Sequence, residues 1–199
     1  MRPFALTIVS AAILSAGLPA QAQSLSQEQD EIPAGRAVAK ITGCTDPNIT
    51  GSARLVERPS TEGVKLVDVR LKVKGLPDGA HAVHIHEVGA CQPCAAAGGH
   101  FDPGPNSNSL PDGNHPFHSG DLVNLQVTNG RGLLHTTTSR ITLSPGPLSV
   151  FDQDGSAFII HVNPDTYCPN GPMAGCAGGA RAACGVIQRM TDEADEWFE

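Results

Sequence analysis

Three histidines fall within six positions of "HAVHIHEVGAC", residues 81–91. His84 and His86 are one residue apart. In a strand, residues i and i+2 share a face, so these two imidazoles stand side by side while Ile85 points the opposite way, into a core. Two neutral imidazoles on one rigid face suit copper or zinc, although an H-x-H pair alone reads as readily as two surface histidines. Four further histidines change that balance. His100 lies in "GGHFDPG", His115, His118 and Asp121 form H-x-x-H-x-x-D, and His161 ends "AFIIH". His135, in "LLHTTT", reads as an ordinary edge or surface histidine. His81 begins its strand facing away from His84 and His86, which suits packing.

The elements that must hold these residues read as strands. "RAVAKIT", "GSARLVER", "VKLVDVRLKVKGL" and "AHAVHIHEV" alternate or nearly alternate apolar and polar residues, the period of a half-buried strand. In the third of these the phase shifts between Leu66 and Val67, which predicts a bulge or twist. "DLVNLQVTNGRGLLHTTTSRITL" reads as a hairpin about Asn129–Gly130, "SAFIIHV" as a buried strand and "AACGVIQ" as the last strand. Two aperiodic stretches, residues 89–120 and 163–180, are rich in Gly and Pro, and loops this long are usually functional. The expectation is an all-β, eight-stranded antiparallel sandwich or barrel with two long functional loops.

Composition fits that reading. The 199 residues suffice for one domain with a real core, and 22 glycines, 16 prolines and 4% aromatics favour short elements joined by turns. Residues 1–22 read as a signal peptide: Arg2, the apolar run "FALTIVSAAILSAGL", and an A-x-A site at Ala20–Ala22. Residues 23–35 form a polar, flexible lead-in, 36–188 the domain, and 189–199 an acidic, solvated tail. Without the leader the side chains sum to 12 − 20 = −8. Nothing basic clusters, which argues against nucleic acid and anionic membrane, and no later segment could span a bilayer. An exported chain with an even number of cysteines (Cys44, Cys91, Cys94, Cys168, Cys176 and Cys184) implies disulfides, whose connectivity spacing does not fix.

"HAVHIHEVGAC", "AGGHFDPG", "HSGDLVNL", "GSAFIIHV" and "GARAACGVI" together, in this order and over roughly residues 36–188, resemble the copper/zinc superoxide dismutase family. The resemblance implies a Greek-key sandwich or barrel, copper and zinc as cofactors, and superoxide as substrate. It implies copper on His84, His86, His100 and His161, with His100 bridging to zinc and serving as a proton donor, and zinc on His100, His118 and Asp121. It also implies that Asp165 orients one copper and one zinc ligand, and that Arg181 guides the anion. Cys184 matches one end of the family disulfide; Cys91 is its partner as in many bacterial relatives, with Cys94 as the alternative. Cys168 and Cys176 then close their own loop, which leaves Cys44 with Cys94.

The chain departs from the family in two further respects. Residues 101–114 lack the family's additional zinc histidine, and His115, three residues before His118, is expected to replace it; otherwise zinc is weak or completed by water. The last loop lacks the family's usual acidic and lysine residues, so steering falls on Arg181 and the copper charge. A copper-only variant and a copper carrier on the same fold are the alternatives. The expected location is periplasmic or secreted, and a homodimer is left open.

Overall fold

A computed structural model of the protein describes residues 35–104, 115–171 and 173–190. The expected leader, nearly all of the lead-in and most of the acidic tail lie outside the described residues. The strands are β1 (Gly35–Gly43), β2 (Thr50–Pro59), β3 (Lys65–Lys74), β4 (Gly79–His81), β5 (Val83–His86), β6 (Leu125–Thr128), β7 (Arg131–Thr138), β8 (Ala157–His161), β9 (Arg181–Val186) and β10 (Gln188–Arg189). Every pairing among them is antiparallel. A 3-10 turn at Cys94–Ala97 is the one helical segment among the described residues. The count is ten rather than eight because Ala82 and Ile187 each interrupt a single apolar run.

The sheet runs β4-β6-β7-β3-β2-β1-β9-β8-β5, with β10 added against β1. Its two end strands, β4 and β5, are joined through Ala82 alone. The amide of Ala82 donates to the Asn163 carbonyl and that of His161 to the Ala82 carbonyl. The sheet therefore nearly closes on itself as a barrel, which leaves few free edges. Alternation fills the inside: Ala37, Ala39 and Ile41 of β1, Ala53 and Leu55 of β2, and Val67, Val69 and Leu71 of β3 are fully or almost fully buried. Each large apolar side chain so buried contributes about 1.5–3 kcal/mol. Asn129 and Gly130 both have positive φ, 52° and 67°, as the tight turn between β6 and β7 requires. The bulge expected near Leu66 is absent. The β2–β3 register is unbroken from Thr50↔Lys74 to Pro59↔Lys65, so Leu66 shares the outer face with Asp68.

The same alternation corrects the view that positive charge is dispersed. Outward positions carry Arg36 and Lys40 on β1, Arg54 and Arg58 on β2, Arg70, Lys72 and Lys74 on β3, and Arg131 on β7. Asp68 is the only acid among these outward positions, and it pairs with Arg58 at 3.0 Å. Cations that are two residues apart, or on different strands, look scattered along a chain and meet on a sheet face.

One charged residue points inward. Glu57 is fully buried and accepts the amide protons of Leu143 and Ser144, with Lys65 Nζ 3.7 Å away. It pins the connection after β7 to β2. Burial pushes its carboxyl up, but the hydrogen bonds at Ser144 and Leu143 outweigh this and hold it below its ordinary value. Its contribution is thus present above the unfolded pKa of about 4.3 and is lost as pH falls through the lower folded value. Glu57→Ala leaves two amides without an acceptor and is expected to cost about 2–4 kcal/mol, read as a lower midpoint in urea at pH 7.

Candidate metal centre

Strand β5 turns Ile85 into the core and His84 and His86 toward the opposite side, where both are buried. One edge of β5 pairs with β8. The other edge is taken by the two ends of the first long loop: Phe101 donates to the Ile85 carbonyl, and Ile85 donates to Gly120. Isolated bridges His86↔His100 and His84↔Asp121 extend this pairing. Gly120 is required there, because a Cβ would sit 2.2 Å from the Ile85 carbonyl oxygen. His161 ends β8 at a register shift between Ile160 and His161, a place where strands re-aim side chains.

These constraints bring together residues that lie between His84 and Asp165 in the chain. The His100 ring lies 4.1 Å from His84, 4.9 Å from His86 and 5.0 Å from His118, centre to centre. The His84 and His161 rings are 5.0 Å apart. Ligand atoms of His84, His86, His100 and His161 all lie within 4.8 Å of one another, as do those of His84, His100, His115 and Asp121. Asp165 spans the two groups, with Oδ2 3.1 Å from His84 Nε2 and Oδ1 2.8 Å from His115 Nε2. His100 Nδ1 meets Asp121 Oδ1 at 2.7 Å. His118 also stands beside the second group, its Nδ1 3.2 Å from Asp121 Oδ2, while His84 Nε2 is engaged by Asp165.

The donor set fits metal ions. Among the described residues, His86 Nε2, His115 Nδ1 and His118 Nδ1 are buried with no hydrogen-bond partner, a costly arrangement unless something else takes their lone pairs. Two of these rings are fixed on the other side, His86 Nδ1 3.0 Å from the Gly98 carbonyl and His115 Nε2 2.8 Å from Asp165 Oδ1, and His161 Nδ1 likewise lies 2.8 Å from the Gly179 carbonyl. A carbonyl on one ring nitrogen sets the tautomer and leaves the other nitrogen as ligand. His115 Nδ1 approaches Asp121 Oδ2 at 3.1 Å without hydrogen-bond geometry, as two ligands of a common ion do.

Electrostatics divide the cluster. Burial, then the neighbouring His100, holds His84 and His86 below the ordinary imidazole value. Burial followed by His84 lowers His161 to about 3. These rings are neutral at pH 7. His115 goes the other way. Burial pulls it down, but Asp121 and Asp165 outweigh burial and raise it to about 9. Both carboxyls are pushed up by burial and then held far below their usual range by the surrounding imidazoles.

Arg181, first residue of β9, donates through Nη1 to the Cys94 carbonyl at 2.6 Å and through Nη2 to Gly98. Gly98 also holds His86, so one carbonyl positions both. Disulfides Cys44–Cys94 and Cys91–Cys184 clamp this turn from two sides, and Cys168–Cys176 closes a loop of the second long connection. Such bonds form and persist in an oxidising compartment. His81 does more than pack: Nδ1 is 2.8 Å from the His161 carbonyl and Nε2 2.9 Å from that of Pro77, so it buttresses the His161 backbone. Asn124 was not foreseen either. It donates to the Asp165 carbonyl and accepts the Asp165 amide. Arg140, equally unforeseen, donates to the carbonyls of Asp121 and Pro116. Carbonyl contacts of this kind leave no mark on residue type. His135 is exposed in β7, away from the cluster.

The family model described as copper/zinc superoxide dismutase (SODC) matches residues 49–187, which spans β2 to β9 and every histidine of the cluster. The chain belongs to the copper/zinc superoxide dismutase family. It is 38% identical over 157 residues to a protein of Deinococcus radiodurans named Cu-Zn superoxide dismutase, covering 71% of this chain and 79% of that one. A second Cu-Zn superoxide dismutase, from Aquifex aeolicus, is 37% identical over 149 residues, 72% of this chain and 82% of that one. Among solved structures, a double mutant of a SOD-like protein from Bacillus subtilis superposes with a TM-score of 0.56 at 30% identity, covering 75% of this chain and 95% of that one. Copper and zinc are the cofactors of the copper/zinc superoxide dismutase family, and the two histidine-rich groups here could each hold a metal ion.

Proposed function

We propose that this protein is a superoxide dismutase holding copper on His84, His86, His100 and His161 and zinc on His100, His115, His118 and Asp121. The observation that carries the reading is the position of His100. Its ring lies between the His84–His86 pair and the His115–His118–Asp121 set, and it belongs to both donor groups. Bound copper would supply one-electron exchange, so that two superoxide anions and two protons yield dioxygen and hydrogen peroxide.

The residues do the rest. His84, His86 and His161 stay neutral at pH 7, so their lone pairs are available. His100, whose Nδ1 faces Asp121 at 2.7 Å, would help hold copper and would supply a proton to the reduced substrate. Asp165 fixes His84 and His115 together, which couples the geometry of the two sites. Arg181 keeps its charge and presents the remaining N–H groups of its fork to the anion. A local cation recruits a small anion even where net charge is negative.

We read the chain as exported, with residues 1–22 removed and the periplasm or the exterior as its place; three disulfides and the leader-like sequence support this. The carrier alternative is disfavoured by Arg181, which a copper store does not need. The test is superoxide consumption by mature protein loaded with copper and zinc, with metal content measured on the same sample. One copper and one zinc per chain with rapid consumption is expected. Loaded but inert protein would leave a carrier, and copper without zinc would remove the second site.

A further inference from the structure

The peptide between Gly98 and Gly99 is gripped at both ends. Its carbonyl, on Gly98, faces His86 Nδ1 at 3.0 Å and accepts from Arg181 Nη2. A carbonyl oxygen has two lone pairs, and these two donors use both. Its N–H, on Gly99, donates to Glu87 Oε1 at 2.7 Å. Glu87 follows His86 directly in the chain, and its own amide donates to the Gly99 carbonyl at 3.0 Å. Gly99 is therefore held by Glu87 through backbone and side chain together. The carboxylate lies close against the peptide, since a Cβ on Gly98 would stand 2.6 Å from Glu87 Oε1.

Glu87 is itself exposed and belongs to neither donor group. What its carboxylate can do runs through the peptide. A carboxylate on the free N–H of a metal-bound imidazole fixes the tautomer and raises the basicity of the ligand nitrogen. Here a peptide stands between carboxylate and imidazole. Hydrogen bonds in a chain polarise one another, so a carboxylate on the N–H end makes the carbonyl end a stronger acceptor. A stronger acceptor keeps the proton on His86 Nδ1 and leaves the lone pair on Nε2, which is buried with no hydrogen-bond partner. The same carbonyl is one of two that fix Arg181, the other being Cys94 at 2.6 Å. Two glycines in succession carry no side chain that would fix the plane of this peptide, so without Glu87 the holds on His86 and Arg181 loosen together.

We propose that Glu87 is a positioning residue for the reaction: by holding the Gly99 amide it sets the orientation of one peptide, and through that peptide both His86 and Arg181. The proposal rests on the copper reading of His86.

Two substitutions separate the hydrogen bond from the charge. Glu87→Gln keeps an acceptor oxygen for the Gly99 amide and removes the charge, and Glu87→Ala removes both. Neither opens the core, because the residue is exposed. In metal-free mature protein, hydrogen exchange of the Gly99 amide should be about 10-fold faster in Glu87→Ala than in wild type, and within about threefold of wild type in Glu87→Gln. Copper(II) affinity, measured against a competing chelator, should fall about 10-fold in Glu87→Ala and stay within about threefold in Glu87→Gln. Zinc affinity should stay at the wild-type level in both. Equal copper affinity or equal Gly99 exchange in Glu87→Ala and wild type would overturn the proposal. So would a copper loss of the same size in Glu87→Gln, which would make charge the cause, or a parallel loss of zinc, which would make it general damage. Wild-type protein that takes up no copper would remove the copper reading and the proposal with it, a failure told apart by Gly99 exchange that still differs between wild type and Glu87→Ala.

Discussion

Arg181→Met is expected to lower the second-order rate of superoxide consumption about 10- to 100-fold, within the range that local electrostatic focusing supplies, while copper and zinc content stay at the wild-type level. The reason is positional. Arg181 is held by the carbonyls of Cys94 and Gly98, and Gly98 also holds His86. The guanidinium therefore sits at a fixed place relative to a ring that we assign to copper. Methionine keeps much of the apolar stem and removes the charge, so packing changes little. A second reading separates steering from damage. The wild-type rate should fall with ionic strength, because screening shortens the reach of a half-buried cation that still faces solvent, whereas the Arg181→Met rate should depend on it much less. Stopped-flow decay of superoxide at two salt concentrations measures both. An unchanged rate in the variant would remove Arg181 from the reaction.

His115→Ala carries the second large effect. His115 is fully buried at its side chain, with Nε2 on Asp165 and an unpartnered Nδ1 beside Asp121. As a proposed direct ligand its loss should weaken zinc by at least the roughly 10- to 100-fold typical of losing a mere orienting partner. Copper should remain. The proton makes the assignment sharper. With its pKa raised to about 9, His115 carries a proton at pH 7, and zinc bound through Nδ1 must displace it. Wild-type zinc affinity should therefore tighten as pH rises toward 9, with close to one more proton released per zinc than in His115→Ala. Calorimetry in buffers of different ionisation enthalpy reads that difference directly. Equal proton release and equal affinity in the two proteins would exclude His115 as a ligand.

Much of this centre was legible before the fold. His84 and His86 follow from strand periodicity, and His100, His118, Asp121 and His161 from segments whose order and spacing match the family. His84, His86 and His161 lie on strands that fix their direction, whereas His100 and Asp121 lie in or just after the first long loop and are held by isolated bridges to His86 and His84. His115 was less legible because it sits outside the family's usual place, and only its distances to Asp121 and Asp165 give it a position. What sequence hid entirely were roles played through the backbone: the shared carbonyl of Gly98, the His81 rest under His161, the Asn124 clamp on Asp165. A carbonyl belongs to every residue, so nothing in residue type announces its use. The eight outward cations were hidden for a different reason. Each is separated from the next by an inward apolar residue or by a turn, and only register places Arg54 opposite Arg70. The strand count failed for a small cause, since the breaks at Ala82 and Ile187 fall at apolar residues that continue the pattern.

The central claim is that His100 joins two metal sites through one ring. Copper in the first site and cobalt(II), a paramagnetic stand-in for zinc, in the second provide its most direct test by electron paramagnetic resonance. With both metals bound at one per chain, the account predicts that the copper signal seen with zinc is broadened or lost with cobalt, through coupling across the His100 imidazole. A copper signal unchanged by cobalt, with both ions present by metal analysis, would contradict it.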